Sequence, residues 1–176
     1  MQQFLVPVAE LLGQPGAYRD VNIHAPLEGV AVDLARLGSD PVTAELRAQS
    51  VIEGILVTGQ VEGVAELNCA RCVTEFSSGL ALEVCELYTG PGQGDGDNED
   101  AYRIAGTEMD LEPMLRDAIA LALPLNPLCR EDCRGMCAQC GTDLNTRSCE
   151  CTEDEGDPRW APLEALRAKL EERSSA

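Results

Sequence analysis

The cysteines are the residues of this chain whose type and spacing could do chemistry. Eight of the nine fall into short pairs along the sequence: Cys69-x2-Cys72, Cys129-x3-Cys133, Cys137-x2-Cys140 and Cys149-x-Cys151. Structural zinc takes four ligands in a tetrahedron, and cysteines two to four residues apart can reach one ion within a single turn of chain. The spacing therefore predicts metal binding by thiolates.

Eight thiolates are enough for two four-cysteine sites, but the spacing does not determine how they are shared. We predict that the knuckle Cys137–Gly141 (CAQCG) closes one site with Cys149 and Cys151, because its glycine lets backbone N–H groups approach the sulfurs. The second site would join two distant parts of the chain, and it comprises Cys69, Cys72, Cys129 and Cys133. Cys85 is then left over, and its place in an apolar alternation predicts a buried free thiol.

Zinc is the expected metal, and iron in a four-thiolate site would use the same ligands. Disulfides would need an oxidising compartment. The residues Met1–Pro7 lack the basic and apolar regions of a secretory signal, and no segment approaches the ~18 consecutive apolar residues of a membrane span. We therefore expect a cytoplasmic protein without membrane attachment, whose thiols stay reduced.

The charge of the chain points to a class of partner. There are 13 Lys and Arg against 31 Asp and Glu, a formal net charge of −18, and four thiolates around Zn²⁺ would add about −2 at each site. Such a charge opposes binding to a phosphate backbone, so we expect basic proteins as partners. Arg71, Arg130, Arg134 and Arg147 stand among the cysteines and are expected to offset the charge of the sulfurs. Local contact of these arginines with RNA is the alternative.

Hydrophobic periodicity predicts the elements that hold the cysteines. Apolar residues alternate with polar ones over residues 42–48, 55–69 and 76–84, which is typical of half-buried strands. Consecutive strands with short turns favour an antiparallel meander. Cys69 and Cys72 then lie at the tip that joins the second strand to the third, where a metal would fix the strand register.

Helices are predicted after this meander. One runs from Leu111 to the residue before Pro124 and is capped by Asp110. Its apolar face, expected to pack on the sheet, comprises Leu111, Leu115, Ala118, Ile119 and Ala122. Another begins at Pro162, and the segment before Arg36 is expected to form strands and turns with one short helix. The expected fold class is α+β: an antiparallel sheet meander with packed helices and a C-terminal cysteine-rich zinc-binding segment.

Three regions are expected along the chain. Residues 1–128 form the α+β domain, with an acidic loop at 90–100; residues 129–160 form the cysteine-rich metal-binding segment; residues 161–176 form a C-terminal helix and tail. His24, the single histidine, is expected at the surface because thiolates already fill both sites. Closed four-thiolate sites are structural and no catalytic motif stands beside them, so the chain is interpreted as a non-enzyme.

Several strings of this sequence resemble the YceD family. They are Asn68–Phe76 (NCARCVTEF), Asp110–Glu112 (DLE), Ile119–Pro124 (IALALP), Cys129–Cys137 (CREDCRGMC), Cys140–Asn145 (CGTDLN) and Asp157–Leu163 (DPRWAPL). Their ordered combination is specific, and it runs from about Leu46 to Leu170. The resemblance implies a bacterial cytoplasmic protein needed for normal accumulation of large-subunit ribosomal RNA, with related proteins in plastids.

The functional prediction follows from that resemblance. We expect a non-enzymatic accessory factor for large-subunit ribosomal RNA accumulation and ribosome assembly, stabilised by structural zinc. The acidity of the chain suggests that it holds a basic ribosomal protein, or a basic assembly factor, until ribosomal RNA can receive it. Two alternatives are a metal-stapled interaction module unconnected with ribosomes and a thiol redox or metal-delivery protein, since Cys69-x2-Cys72 resembles a dithiol motif.

Overall fold

The structure, a computed structural model, describes residues 3–90 and 102–151 together with Leu163. By its internal contacts the chain forms two compact units, Met1–Gly135 and Met136–Ala176. Cys129 and Cys133 therefore belong to the first unit, whereas the sequence grouped them with a metal-binding segment that begins at residue 129.

The described part of the first unit contains nine strands and one α-helix. In chain order they are β1 (Leu5–Pro7), β2 (Tyr18–Ala25), β3 (Ala31–Val32), β4 (Ala35–Leu37), β5 (Val42–Val51), β6 (Gly54–Asn68), β7 (Glu75–Thr89), β8 (Tyr102–Arg103), β9 (Glu108–Asp110) and α1 (Glu112–Ala122). No helix among the described residues is long and apolar enough to cross a membrane.

Strand β6 is the centre of the main sheet. Along one edge it pairs antiparallel with β7 over its whole length, and along the other it pairs first with β5 and then with β4. β2 continues the sheet beyond β5, and β3 continues it beyond β4. The predicted antiparallel meander is therefore confirmed as β5-β6-β7. Separately, β1 pairs with β9 in a two-stranded sheet.

The alternation of side chains determines which face of the sheet is buried. β5 buries every second residue, and the same face of β6 buries Ile55, Val57 and Val61 completely. Because residues opposite each other in an antiparallel pair share a face, this apolar face continues from strand to strand. Each buried aliphatic side chain contributes about 1.5–3 kcal/mol, so a register slip that exposed this face would be strongly unfavourable.

Helix α1 packs against β7 and carries the chain from the sheet to the later cysteines. The helix begins one residue later than predicted, with Leu111 rather than Asp110 at its N-cap. The Asp110 carboxylate nevertheless accepts the N–H of Glu112 at 3.0 Å, so it satisfies one N–H of the first turn. The buried side chains of the helix are Met114, Leu115 and Ile119. Of the predicted apolar face, Ala122 is exposed, and the prediction missed Met114.

The described residues form a mostly antiparallel sheet with one short helix, so they confirm the predicted antiparallel sheet but do not support the predicted α+β class with packed helices. Residues 3–36 contain no helix, because prolines and glycines interrupt their short apolar runs and leave strands and turns. The predicted C-terminal helix from Pro162 and the acidic loop at 90–100 lie outside the described residues, apart from Leu163 and Gly90.

Candidate metal centres

The first candidate centre, which we call the hairpin centre, consists of Cys69, Cys72, Cys129 and Cys133. Their four Sγ atoms all lie within 4.8 Å of one another. The Sγ atoms of Cys69 and Cys133 are 3.8 Å apart, and those of Cys72 and Cys129 are 3.6 Å apart. Zn–S bonds of about 2.3 Å in a tetrahedron place neighbouring sulfurs about 3.8 Å apart. The donor set and its spacing thus fit one four-coordinate ion that prefers sulfur.

The turn between β6 and β7 positions the first two cysteines. The N–H of Val73 donates to the carbonyl of Cys69 at 2.9 Å, and the N–H of Cys69 donates to the carbonyl of Thr74 at 3.0 Å. The Thr74 hydroxyl lies 3.3 Å from the Sγ of Cys72. This tight knuckle requires Val73 to adopt a φ of 60°, a left-handed conformation that is uncommon for a β-branched residue.

The segment after α1 brings in the other two cysteines through direct contacts with the knuckle. The N–H of Ala70 donates to the carbonyl of Pro127 at 2.8 Å, and the Nη1 of Arg71 donates to the carbonyl of Cys133 at 2.8 Å. Gly135, with a φ of 76°, passes so close that a Cβ there would lie 3.0 Å from the backbone oxygen of Arg71. These contacts hold the two cysteine pairs together by hydrogen bonds and close packing as well as through the sulfurs.

The hairpin centre is largely buried. Cys69 is 1% exposed, Cys133 2% and Cys72 8%, and Phe76 and Leu128 pack against them. Thiolates in such surroundings are unfavourable unless a cation balances their charge. The burial therefore favours a bound metal ion over free thiolates at this place.

The second candidate centre, which we call the C-terminal centre, consists of Cys137, Cys140, Cys149 and Cys151, whose Sγ atoms also lie within 4.8 Å of one another. Its knuckle has the same hydrogen bonds as the first. The N–H of Gly141 donates to the carbonyl of Cys137 at 2.9 Å, and the N–H of Cys137 donates to the carbonyl of Thr142 at 2.9 Å. The Thr142 hydroxyl lies 3.2 Å from the Sγ of Cys140.

A turn at Asp143 carries the chain back towards Cys149 and Cys151. Its Oδ1 accepts the backbone N–H of Asn145 at 2.9 Å and the side-chain amide of the same residue at 2.7 Å. Its carbonyl accepts the N–H of Thr146 at 3.2 Å. No residue in the described part of this unit is buried. The local order of this segment therefore rests on turn hydrogen bonds and the sulfur cluster rather than on an apolar core.

Within each cluster, the pKa is lowered for some cysteines and raised for others. The backbone N–H of Cys129 lowers the pKa of Cys69 to about 6, whereas burial raises the pKa of Cys129 to about 12. In the C-terminal centre the Thr142 hydroxyl lowers the pKa of Cys140 to about 6, whereas the hydrogen bond to Cys140 raises the pKa of Cys151 to about 12. A metal ion bound at either centre would displace the protons from the sulfurs whose pKa is raised.

The structure groups eight cysteines into the two sets that the sequence predicted; metal binding by them stays a prediction. Neither set includes Cys85. Its predicted burial is wrong: Val84 faces the core, and successive residues of a strand point to opposite faces, so Cys85 is exposed on β7. His24 is exposed, as predicted, and its Nδ1 lies 3.2 Å from the Oγ1 of Thr43.

Sequence reasoning missed the two threonine hydroxyls beside the sulfurs. The signal that could have found them is a repeat, Cys-Ala-x-Cys-x-Thr, which occurs at residues 69–74 and again at 137–142. Of the arginines that stand among the cysteines, Arg71 bonds to backbone carbonyls of the hairpin centre, and Arg130 pairs with Asp132 at 3.3 Å.

These features define a class of protein: an antiparallel β-sheet protein with two four-cysteine clusters of a kind that binds metal. A family model described as "Large ribosomal RNA subunit accumulation protein YceD" matches residues 57–167 of the sequence. That match covers more than half of the chain and includes the cysteines of both centres. The chain therefore belongs to the YceD family.

Individual relatives agree with this assignment. An uncharacterised protein of Mycobacterium tuberculosis is 34% identical over 167 residues, which cover 90% of this chain and 78% of the relative. The uncharacterised protein YlbN of Bacillus subtilis is 26% identical over 140 residues, 76% of this chain and 81% of the relative. A protein of Arabidopsis thaliana named large ribosomal RNA subunit accumulation protein YCED homolog 1, chloroplastic, is 35% identical over 66 residues, 38% of this chain and 21% of the relative. No solved structure matches the chain.

Proposed function

We propose that this protein is a non-enzymatic, cytoplasmic accessory factor for the accumulation of large-subunit ribosomal RNA and for ribosome assembly. The observation that carries the proposal is membership of the YceD family, whose model covers both cysteine centres. Relatives in Arabidopsis thaliana and Zea mays carry large ribosomal RNA subunit accumulation in their names. The four-cysteine centres support a structural role for the proposed zinc. The negative charge of the chain supports a basic partner.

In this proposal zinc stabilises the fold and performs no chemistry. Catalytic zinc sites keep one position for water and usually use three protein ligands. Each cluster here offers four sulfurs within 4.8 Å of one another, which would close the coordination shell. We expect two zinc ions per chain, one for each cluster, and metal analysis of the purified protein separates zinc from iron.

The proposed partner is a basic ribosomal protein or a basic assembly factor. The net charge of −18 would attract a cationic protein over several ångströms and repel a phosphate backbone. Arg71 already donates to a backbone carbonyl of the segment after α1, and Arg130 pairs with Asp132 in its own loop, which leaves less of their charge for RNA. A factor of this kind would keep its partner from binding RNA too early and release it to ribosomal RNA.

The first test is the profile of ribosomal particles on a sucrose gradient, from cells with and without the gene. The proposal expects fewer mature large subunits and precursor RNA in lighter particles when the gene is absent. Restoring the gene in trans should restore the profile. An unchanged profile would contradict the proposal and favour an interaction module unconnected with ribosomes.

The second test concerns the partner. The tagged protein should co-purify basic large-subunit ribosomal proteins or assembly factors at low salt and lose them as the salt rises, because the attraction is electrostatic and is screened. An unrelated acidic protein of similar size and charge, tagged in the same way, serves as the control. Capture of the same proteins by that control would mean that charge alone explains the binding.

A further inference from the structure

In the part of the chain that the structure describes, most of the outer edge of β7 has no neighbouring strand. One side of this strand pairs with β6 throughout. On the other side, within the described part of the chain, only Tyr88 and Thr89 are paired, with the short strand β8. Residues 75–87 therefore present an edge to which another strand can add.

The backbone groups available on this edge can be identified. The N–H of Ile104 donates to the carbonyl of Thr89 at 3.0 Å, so the backbone groups of Thr89 point away from β6. The β6–β7 register continues without a bulge, and the direction of backbone groups alternates along a strand. The residues whose N–H and C=O groups point outward are thus Ser77, Gly79, Ala81, Glu83, Cys85 and Leu87.

The apolar face of the sheet is incompletely covered at this edge. Phe76, Leu80 and Leu82 are only partly buried, although Val61 and Ala65 on the same face of β6 are 0% and 2% exposed. Among the described strands, β6 has a neighbour on either side at these positions, whereas β7 has one only on the β6 side. An added strand would cover these three side chains with alternate side chains of its own.

β7 lacks the residue types that commonly prevent strand addition at the edge of a sheet. The edge of β2 carries Arg19, which donates to the carbonyl of Pro7 and pairs with Glu10. β7 contains neither lysine nor proline, the residues that most often block edge pairing. Its composition permits strand addition where that of β2 opposes it.

The negative charge near this edge of β7 favours a basic partner. β6 carries two carboxylates and β7 carries three, and neither strand contains Lys or Arg. One of the five, Glu66, is neutralised by Arg36. The others include Glu83 on β7 itself and Glu62 directly opposite Ala81 on β6. An incoming strand would therefore be favoured if the side chains on its solvent face were basic.

We propose that the edge of β7 that no described strand pairs with binds an extended, basic segment of another protein by strand addition, with apolar side chains of that segment alternating with Lys or Arg. The class of partner rests on the proposed function, because basic ribosomal proteins are the source of such a segment. A second copy of this chain is a poorer occupant, since each copy would bring a net charge of −18.

Amide hydrogen exchange, resolved to single residues by NMR, tests the edge directly. The probe is a capped synthetic peptide of alternating valine and lysine, added to the metal-loaded full chain. We expect protection of the outward N–H groups of Ser77, Gly79, Ala81, Glu83, Cys85 and Leu87, while the alternate amides, already bonded to β6, change little. Binding without this alternating protection, or no binding, would overturn the proposal.

Two control peptides separate strand pairing from charge. A peptide of alternating valine and glutamate should give no protection, because its charge is wrong. A peptide with the same valines and lysines in two separate blocks should bind more weakly, because its apolar and basic residues cannot face opposite sides of the sheet. Equal protection by the peptide with separate valine and lysine blocks would mean that charge attraction alone explains the binding. That result would overturn the proposal.

The matched variants are Ala81→Pro and Ala81→Ser. Proline removes an N–H that points away from β6, so the β6–β7 hydrogen bonds remain, and it blocks the edge. We expect Ala81→Pro to bind the valine–lysine peptide roughly tenfold more weakly or worse, and Ala81→Ser to bind like the parent chain. If Ala81→Pro does not fold, the exchange pattern of the parent chain still decides the question.

The outcomes distinguish this inference from the proposed function. A strain lacking the gene with an unchanged ribosome profile would contradict the proposed function, while protection of β7 by the peptide would still support the binding edge. A deficit of large subunits that Ala81→Pro restores as well as Ala81→Ser would contradict the edge and leave the proposed function intact. Protection of the outward amides that rises with protein concentration, without peptide, would assign the edge to a second copy and overturn the proposal.

Discussion

The two cysteine centres share a knuckle but differ in what surrounds it. The hairpin centre is buried and joins residues as far apart as Cys69 and Cys133, 64 positions along the chain. The C-terminal centre uses cysteines from residues 137–151, and two of them, Cys140 and Cys151, are exposed. The same arrangement of four sulfurs thus links distant parts of a β-sheet unit in one place and lies within a short segment without buried described residues in the other.

This difference shows how context changes the contribution of one local motif. In the first unit an apolar core exists beside the sulfur cluster, so a metal ion would add to stability that is already present. In the described part of the second unit nothing is buried, so the ion would supply most of the order. The predictions that follow test this contrast.

The largest effect is expected from removing the first cysteine of each knuckle, with Cys69→Ser and Cys137→Ser as a matched pair. Structural zinc contributes on the order of 10 kcal/mol to the folding of small zinc domains. Each variant should lose one of two zinc ions. Cys69→Ser should also lower the midpoint of thermal unfolding of the sheet, measured by far-UV circular dichroism, whereas Cys137→Ser should leave it nearly unchanged. Loss of both ions from Cys137→Ser would contradict the assignment of the cysteines.

Acidification should release metal from both centres. Cys69 and Cys140 have pKa values lowered to about 6, so they stay ionised above that pH and become protonated below it. A group with a lowered pKa contributes stability that is lost as the pH falls through that value, and metal binding shifts the loss lower still. Zinc release, followed with a chromophoric chelator, should therefore begin below about pH 6. Zinc release that begins above neutral pH would contradict this expectation.

A chelator at neutral pH should remove the two ions at different rates. The C-terminal centre exposes two of its cysteines, whereas release from the hairpin centre requires local opening of the first unit. An opening that costs about 1.4 kcal/mol already slows release about tenfold. We expect two phases of equal amplitude in the parent chain, and Cys137→Ser should retain only the slow one. Zinc removal in a single phase would mean that the two centres release their ions at the same rate, despite their different burial.

The smallest effects are expected from exchanging the residue that follows the second cysteine of each knuckle. Val73 and Gly141 occupy the same place, with φ values of 60° and 69°. A Cβ at Gly141 would meet nothing within 4 Å, so Gly141→Val should be unfavourable through its backbone alone, by about 1–2 kcal/mol. Val73→Gly should relieve the same strain, less the entropy that glycine adds to the unfolded chain, for a net gain of roughly 0.5–1 kcal/mol.

Competition between zinc and a chelator, at equilibrium, measures both changes. The expected signs are opposite: Gly141→Val weakens zinc binding at the C-terminal centre, and Val73→Gly strengthens it at the hairpin centre. Asparagine, which tolerates the left-handed region better than valine, provides an intermediate control at either position. Weaker zinc binding after Val73→Gly would mean that the valine side chain contributes more than its backbone conformation costs.

Part of this architecture could be predicted because its signals are local. The alternation along β5 and β6 directly gives the buried face, and the short spacing within each cysteine pair suggested the two clusters that the structure brings together. The same alternation could have placed Cys85 correctly. With Leu82 and Val84 on the core side, the residue after Val84 must face outward. The wrong prediction came from treating an apolar thiol as buried without counting its position.

The remaining features depend on contacts between distant segments. Strands as short as β1, β3 and β9 have no periodicity to read, and they exist because a neighbouring segment offers hydrogen bonds. The pairing of β6 with both β5 and β4 along one edge likewise follows from the long strand β6 and not from a local pattern. The repeat of the knuckle was visible in the sequence but becomes informative only when its hydrogen bonds are known.

The separation between the halves of the hairpin centre also sets an order for biosynthesis. Cys72 leaves the ribosome 57 residues before Cys129. At translation rates of about 5–20 residues per second, the first pair of thiols waits on the order of seconds before the second pair appears. During that time the sheet can form around an incomplete site. The nascent chain thus passes through a stage with two reactive thiols and no partner for them, and only completion of the later segment ends it.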